Sequence, residues 1–201
     1  MVVTDIRRID DKRFCLYIDY EPYAPVYSSD IRRLKLRVGE PVEDEMITQF
    51  RRDYLYKRAM NKAVNSISFS DKCEQDIRRK LEALYYDADI VEATVDKLKS
   101  YGYIDDYRYA CSYIRCHIGR KSARIIRSEL MSKGILPHDI DRALTEAELP
   151  DERSLITSIL TRRYTVSELS DKRDKAKMYM YRKGYDYRLV DTCIDEITGS
   201  L

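Results

Sequence analysis

The sequence predicts a mainly α-helical protein: tandem three-helix repeats forming an elongated curved array, with a small N-terminal β-hairpin region. Three observations carry that expectation. Only 6 Gly and 5 Pro occur in 201 residues while 36 % of them are charged, a composition of long solvated helices rather than of loop-rich sheet. An apolar stripe with the i, i+3, i+4, i+7 spacing of one buried helix face occurs three times: Val91, Thr94, Val95 and Leu98; Ile140, Ala143, Leu144 and Ala147; Val190, Cys193, Ile194 and Ile197. The interval is about 50 residues each time, the mark of a structural repeat.

The first segment, residues 1–42, stands apart. VVTDIRRI and RFCLYID are β-branched or aromatic runs separated by Asp10-Asp11-Lys12, and they read as a hairpin. APVY adds a third short strand before Ser28-Ser29-Asp30 opens a brief helix, DIRRLKL. A hairpin alone is marginal in water, so this piece is expected to pack on the helix that follows.

The repeats are expected over 43–103, 104–150 and 151–201. Glu43-Asp44-Glu45 supplies the acidic first turn that a helix N-terminus favours. Each repeat opens on a paired stripe: Ala59, Met60, Ala63 and Val64; Tyr109, Ala110, Tyr113 and Ile114; Leu155, Ile156, Ile159 and Leu160. The middle helices correspond through Ile77 and Leu81, Ile126 and Leu130, Ala176 and Met180. Gly134 and Gly184 end corresponding helices, where a left-handed residue commonly closes the last turn. The first repeat has Tyr85-Tyr86 there, so its turn must differ or carry strain. Gly102 ends the first repeat, Asp105 or Asp106 can cap the next helix, and Pro137 and Pro150 suit helix starts.

Composition excludes several functions. No apolar run approaches the roughly 18 residues that span a bilayer. MVVTDIRRID lacks the apolar stretch of a secretory signal, which points to a cytoplasmic protein. Cys15, Cys73, Cys111, Cys116 and Cys193 are odd in number and scattered, unsuited to a disulfide framework and closer to reduced, buried thiols. Cys111, Cys116 and His117 make a poor zinc site, since the thiols lie five apart on a predicted helix and a fourth ligand is missing. Asp105-Asp106 are adjacent on a helix and do not face each other as an acid/base couple would. With two histidines and no Gly-rich phosphate loop, nothing selects a nucleophilic or phosphate-processing centre. The expectation is a non-enzyme with no cofactor and no metal.

The net charge of +2 conceals local structure. Acids gather over Asp87 to Asp106 and Asp139 to Glu152. Bases gather over Arg115 to Arg127 and Arg162 to Lys183. On a predicted second helix of the second repeat, Arg120, Arg124 and Arg127 share one face opposite Ala123, Ile126 and Leu130. With Arg115 and Lys121 they form a cationic set without an interleaved acid, suited to phosphates or to an acidic protein groove. The third repeat offers Arg162, Arg163, Lys172, Arg173, Lys175 and Lys177, diluted by Asp171 and Asp174. Only Arg127 and Lys177 correspond between the two sets. The bland alternative for all of these is a solvated helix face. Tyrosine is abundant, 18 against 3 Phe and no Trp, and Tyr101, Tyr103, Tyr107, Tyr109 and Tyr113 cluster at one joint. Filling helix junctions suits them better than stacking on bases.

Two segments carry a resemblance. IDDYRYACSYI (104–114) resembles the Leu-Asp-Asp-x-Arg-Phe-Ala signature of the RecX family of recombination regulators, and GRKSARIIRSELMSKGILPHDIDRAL (119–144) resembles that family's following helix pair. The hairpin and the stretch through LKLRVGEPV resemble the extension of longer members. The likeness is dense in the second repeat, looser in the first and weakest in the third, and Tyr85 departs from the usual glycine. The resemblance implies a non-catalytic modulator that lies in the groove of the RecA–DNA filament and suppresses ATP hydrolysis and strand exchange; a monomer is expected because a repeat array of this size can stand alone. Contact with single- or double-stranded DNA would be weak or made through the filament. A helix-turn-helix transcriptional regulator is the alternative. It would instead read a defined duplex from one recognition helix.

Overall fold

The computed structural model describes residues 1–199, and the chain divides into two compact units, Met1–Asp105 and Asp106–Leu201. In the first unit, β1 (Val3–Arg8), β2 (Arg13–Ile18) and β3 (Glu21–Tyr27) form an antiparallel sheet in the order β1-β2-β3. Asp10 closes the first turn, its carboxylate accepting the Lys12 and Arg13 N–H groups at 3.0 and 2.8 Å. Asp19 and Tyr20 make the second turn with φ of +49° and +71°, the left-handed pair that matches the twist of a tight hairpin. Leu16 in the central strand sits between Ile6 and Ala24. The third strand begins at Glu21, earlier than APVY suggests, and holds Pro22 and Pro25, which an edge strand tolerates.

Helix α1 (Ser28–Arg33) is tied to the sheet by Asp30, whose carboxylate accepts the Tyr27 N–H at 2.9 Å. Helix α2 (Asp44–Phe50) runs through a π-helical turn, Arg51–Leu55, into α3 (Tyr56–Phe69). Then come α4 (Glu74–Glu82) and α5 (Ala88–Ser100). Val3, Leu16 and Val26 from the sheet share one core with Phe50, Ala59 and Leu81 from the helices, as the marginal stability of an isolated hairpin requires. Each large side chain so buried contributes about 1.5–3 kcal/mol relative to exposure.

The second unit holds α6 (Asp106–His117), α7 (Ala123–Ser132) and α8 (Pro137–Glu146), then α9 (Glu152–Arg163), α10 (Val166–Asp171), α11 (Arg173–Arg182) and α12 (Tyr187–Thr198). Pro137 occupies the first turn of α8. The short α10 is a helix that the stripe pattern does not predict. It starts on a reciprocal capping box between Thr165 and Glu168 and buries Leu169 in the core of the third repeat.

The three repeats close their middle helices in the same way. Tyr86 N–H donates to Leu81 C=O, Ile135 N–H to Leu130 C=O and Tyr185 N–H to Met180 C=O, each at 3.2 Å. The residue before each donor is left-handed: Tyr85, Gly134 and Gly184 have φ of +66°, +85° and +88°. Of the two outcomes expected at Tyr85, a different turn or strain, the structure has strain. Of the cysteines, Cys15, Cys73 and Cys193 are buried, whereas Cys111 is half-buried and Cys116 exposed. All five are free thiols.

Candidate functional site

The repeats share a second internal device, a cation on the middle helix paired with a carboxylate on the next. Arg78 of α4 donates to Glu92 of α5 at 2.7 Å, Arg127 of α7 to Asp141 of α8 at 3.1 Å, and Lys177 of α11 pairs with Asp191 of α12 at 2.8 Å. The correspondence of Arg127 with Lys177 in sequence is therefore a structural one, extended upstream by Arg78. Lys177 is buried, its ammonium 4.0 Å above the Tyr187 ring, and its pairing with Asp191 raises its pKa. Arg173 completes this clamp by reaching both Asp191 and Asp195 at 2.6 Å. Those two carboxylates raise its pKa and have their own lowered.

The basic set of the second repeat is likewise divided. Arg120 does not lie on the second helix as expected. Ser122 is the N-cap of α7, accepting the Ile125 N–H, so Arg120 belongs to the preceding turn and does not share a helical face with Arg124 and Arg127. Lys121 pairs with Glu129 at 2.5 Å, and Glu129 also accepts the Tyr113 hydroxyl at 2.8 Å. Burial raises the Glu129 carboxyl, but Lys121 and Tyr113 outweigh it and leave the pKa lowered. Tyr113 is pushed up to about 12 by burial and by Glu129.

Arg124 meets the turn between α11 and α12, donating to the Gly184 carbonyl at 3.3 Å. The same turn sends its Lys183 carbonyl to the Ser122 N–H at 2.9 Å and its Lys183 ammonium to the Arg120 carbonyl at 2.6 Å. A Cβ on Gly184 would stand 2.2 Å from Ile125 Cγ1 and 2.3 Å from Ser122 Oγ. The N-terminus of α7 is thus a docking point for the third repeat inside the second unit.

The remaining candidates are scattered. Lys172 pairs with Glu168 at 3.0 Å, and Arg163 lies 4.3 Å over the Tyr179 ring. Arg115 bonds only the Cys111 carbonyl, at 3.3 Å, while Arg162 and Lys175 are exposed with no bonded partner among the described residues. Among the described residues, Arg115, Arg120, Arg124, Arg162, Arg163 and Lys175 therefore face no carboxylate, and the first three fall close together in sequence. What sequence reasoning missed is the acid fourteen positions after each middle-helix cation, a spacing visible at Glu92, Asp141 and Asp191.

The tyrosines mostly brace junctions. Tyr109 and Tyr113 stack at 6.1 Å, Tyr113 lies 4.0 Å from the His117 ring, and the Tyr107 hydroxyl bonds Glu146. Tyr101 and Tyr103 are exposed, edge to face at 6.0 Å. Among the described residues no group of three or more His, Cys, Asp or Glu converges as metal ligands would, and no helix is long and apolar enough to cross a membrane.

Comparison with known proteins bears on this arrangement. Residues 59–98 match a family model described as RecX, first three-helix domain, and residues 105–144 match one described as RecX, second three-helix domain. The regulatory protein RecX of Levilactobacillus brevis is 30% identical over 179 residues, covering 87% of this chain and 67% of its own length. That of Clostridioides difficile is 24% identical over 203 residues, covering 98% and 95%. A crystal structure of regulatory protein RecX aligns over 100% of this chain and 99% of its own at a TM-score of 0.60 and 26% identity. RecX from Lactobacillus salivarius aligns over 73% of this chain and 97% of its own at a TM-score of 0.56 and 25% identity. With two helical domains and nearly the whole length matched, the chain belongs to the RecX family of regulatory proteins.

Proposed function

We propose that this chain is a cytoplasmic, non-catalytic regulator that binds the RecA–DNA filament and restrains its ATP hydrolysis and strand exchange. Family membership supports RecA as the partner. The observation that supports the contact is the exposed trio Arg115, Arg120 and Arg124, which no carboxylate among the described residues neutralises while Lys121 and Arg127 beside them are paired. Unpaired cations reach phosphates or acidic groove residues without first breaking an internal ion pair. Restraint requires tighter binding to one filament state than to the other. A recognition helix in a duplex would need free side chains along α7, whereas Arg127 is held by Asp141.

The test is cosedimentation with RecA filaments on single-stranded DNA, with bare single-stranded DNA as control, alongside RecA ATPase. Replacing Arg115, Arg120 and Arg124 with Ala is expected to weaken filament association and inhibition at least about tenfold, the equivalent of about 1.4 kcal/mol. Arg127→Met is expected to leave both in place and to lower stability by about 0.2–1 kcal/mol. A folded triple variant that inhibits like the parent removes this surface from the mechanism.

A further inference from the structure

The docking of the third repeat on α7 leaves a cavity of about 560 Å³ inside the second unit. Its walls are the N-terminus of α7, the segment joining α8 to α9, and the turn between α11 and α12. Ile118 ahead of α7, Ile126 of α7, Leu149 of the segment joining α8 to α9 and Leu155 of α9 supply apolar lining. Two charges of opposite sign stand among the lining residues, Arg124 and Glu152, both exposed. Arg124 is held only by the Gly184 carbonyl, and Glu152 has no bonded partner among the described residues. The other two charges in the lining are engaged: Lys121 by Glu129, and Asp186 as the N-cap of α12.

A volume of this size lies within the range of built ligand sites and exceeds one side chain. The charge pattern narrows the occupant. A small anion would meet Arg124 but be opposed by Glu152, and a small cation the reverse. A polypeptide carrying apolar side chains flanked by one acid and one base satisfies both and buries its apolar part between them. We propose that this cavity anchors such a segment of a partner polypeptide. The proposal rests on the filament reading for the partner's identity but not for the site's chemistry. It adds an apolar anchor beside the cationic contact, and because α7, α9 and the α11–α12 turn all line the cavity, occupancy would also stiffen the junction of the second and third repeats.

The test uses the full chain labelled with ¹⁵N and two capped peptides, acetyl-Lys-Phe-Leu-Glu-amide and acetyl-Glu-Phe-Leu-Lys-amide, since the direction of the bound strand is open. At least one is expected to give saturable shifts of the Ser122 and Gly184 amides. Arg124→Gln and Glu152→Gln are each expected to weaken that binding about two- to fivefold, as loss of an exposed charge pair does. Ala123→Trp, which fills the cavity from an exposed lining position, is expected to abolish it; Leu149→Trp replaces that variant if circular dichroism shows misfolding. Several results overturn the proposal: no saturable shift, undiminished binding by a folded filled variant, equal affinity for acetyl-Gln-Phe-Leu-Gln-amide, or binding of 8-anilinonaphthalene-1-sulfonate alone. Loss of filament cosedimentation by the parent chain would sink the filament reading alone. Intact cosedimentation without peptide binding would sink the cavity alone.

Discussion

Gly184→Ala is a sharp test of how the third repeat is fastened. Two separate penalties meet at this position. Its φ of +88° is a left-handed conformation, costing a residue with a Cβ about 1–2 kcal/mol. Its Cβ would also lie 2.2 Å from Ile125 Cγ1 and 2.3 Å from Ser122 Oγ, and Ser122 is the N-cap of α7, so the neighbours cannot retreat freely. Such overpacking adds about 1–3 kcal/mol. Gly119 isolates the first penalty, because it has φ of +75° in the same unit and nothing within 4 Å of its notional Cβ. Gly119→Ala is therefore expected to lose about 1–2 kcal/mol and Gly184→Ala about 2–5 kcal/mol. Urea unfolding followed by far-ultraviolet circular dichroism measures the difference, with a thermal midpoint lower by about 2–4 °C per kcal/mol as a check. Ile125→Ala on the Gly184→Ala background should restore part of the loss. Equal losses at the two glycines would show that the turn does not bear on α7.

Two more outcomes concern the first unit. Asp30 is 1% exposed between Arg58 and Arg33, at 2.9 and 3.1 Å. Burial pushes its carboxyl up, but Arg58, the Tyr27 N–H and Arg33 together hold it below the ordinary 3.8. A depressed carboxyl stabilises the fold above its unfolded pKa, and that stability is lost as pH falls through the lower native one. Asp30→Asn should thus lower stability by about 1.5–3 kcal/mol at neutral pH, leaving the half-buried Arg58 without its counter-charge, and flatten the acid limb below about pH 4. An unchanged urea midpoint at neutral pH would refute this. Tyr85→Gly relieves a left-handed tyrosine at φ of +66° but frees the unfolded chain, so it should stabilise by up to about 1 kcal/mol, and a clear loss in calorimetry would mean that the half-exposed ring contributes more than the strain removes.

The core was legible because burial on one helix face asks only for apolar residues at a fixed period. Val91, Thr94, Val95 and Leu98 are all buried, as are Val190, Cys193 and Ile194. Where a stripe failed, at Val64, the buried face continues from Ala59 and Ala63 to Ser66, which lies inside instead. The charges were less legible, since an ion pair depends on which helices pack together rather than on any one period. Hence Arg127 reads as a free cation beside Arg124 in sequence, while Asp141 on the next helix holds it. Two misreadings had local signals. Ser122 is a strong N-cap residue and excludes Arg120 from α7, and Thr165 followed three residues later by Glu168 announces α10. Helix α10 occupies the longer span between Arg163 and Arg173, which the first two repeats bridge in fewer residues. Cys116 broke the expectation of buried thiols because α6 ends there with its last turn open to solvent.

The cation–carboxylate clamp inside every repeat has a consequence for behaviour in sodium chloride. Contacts between exposed arginines and a polyanion release counterions and weaken steeply as the electrolyte is concentrated. The enclosed Lys177 with Asp191 is shielded from that screening, and Arg78, half-buried against the exposed Glu92, is shielded in part. Brine should therefore strip the protein from its target well before it loosens the helices, and simple dilution should let the same molecules return.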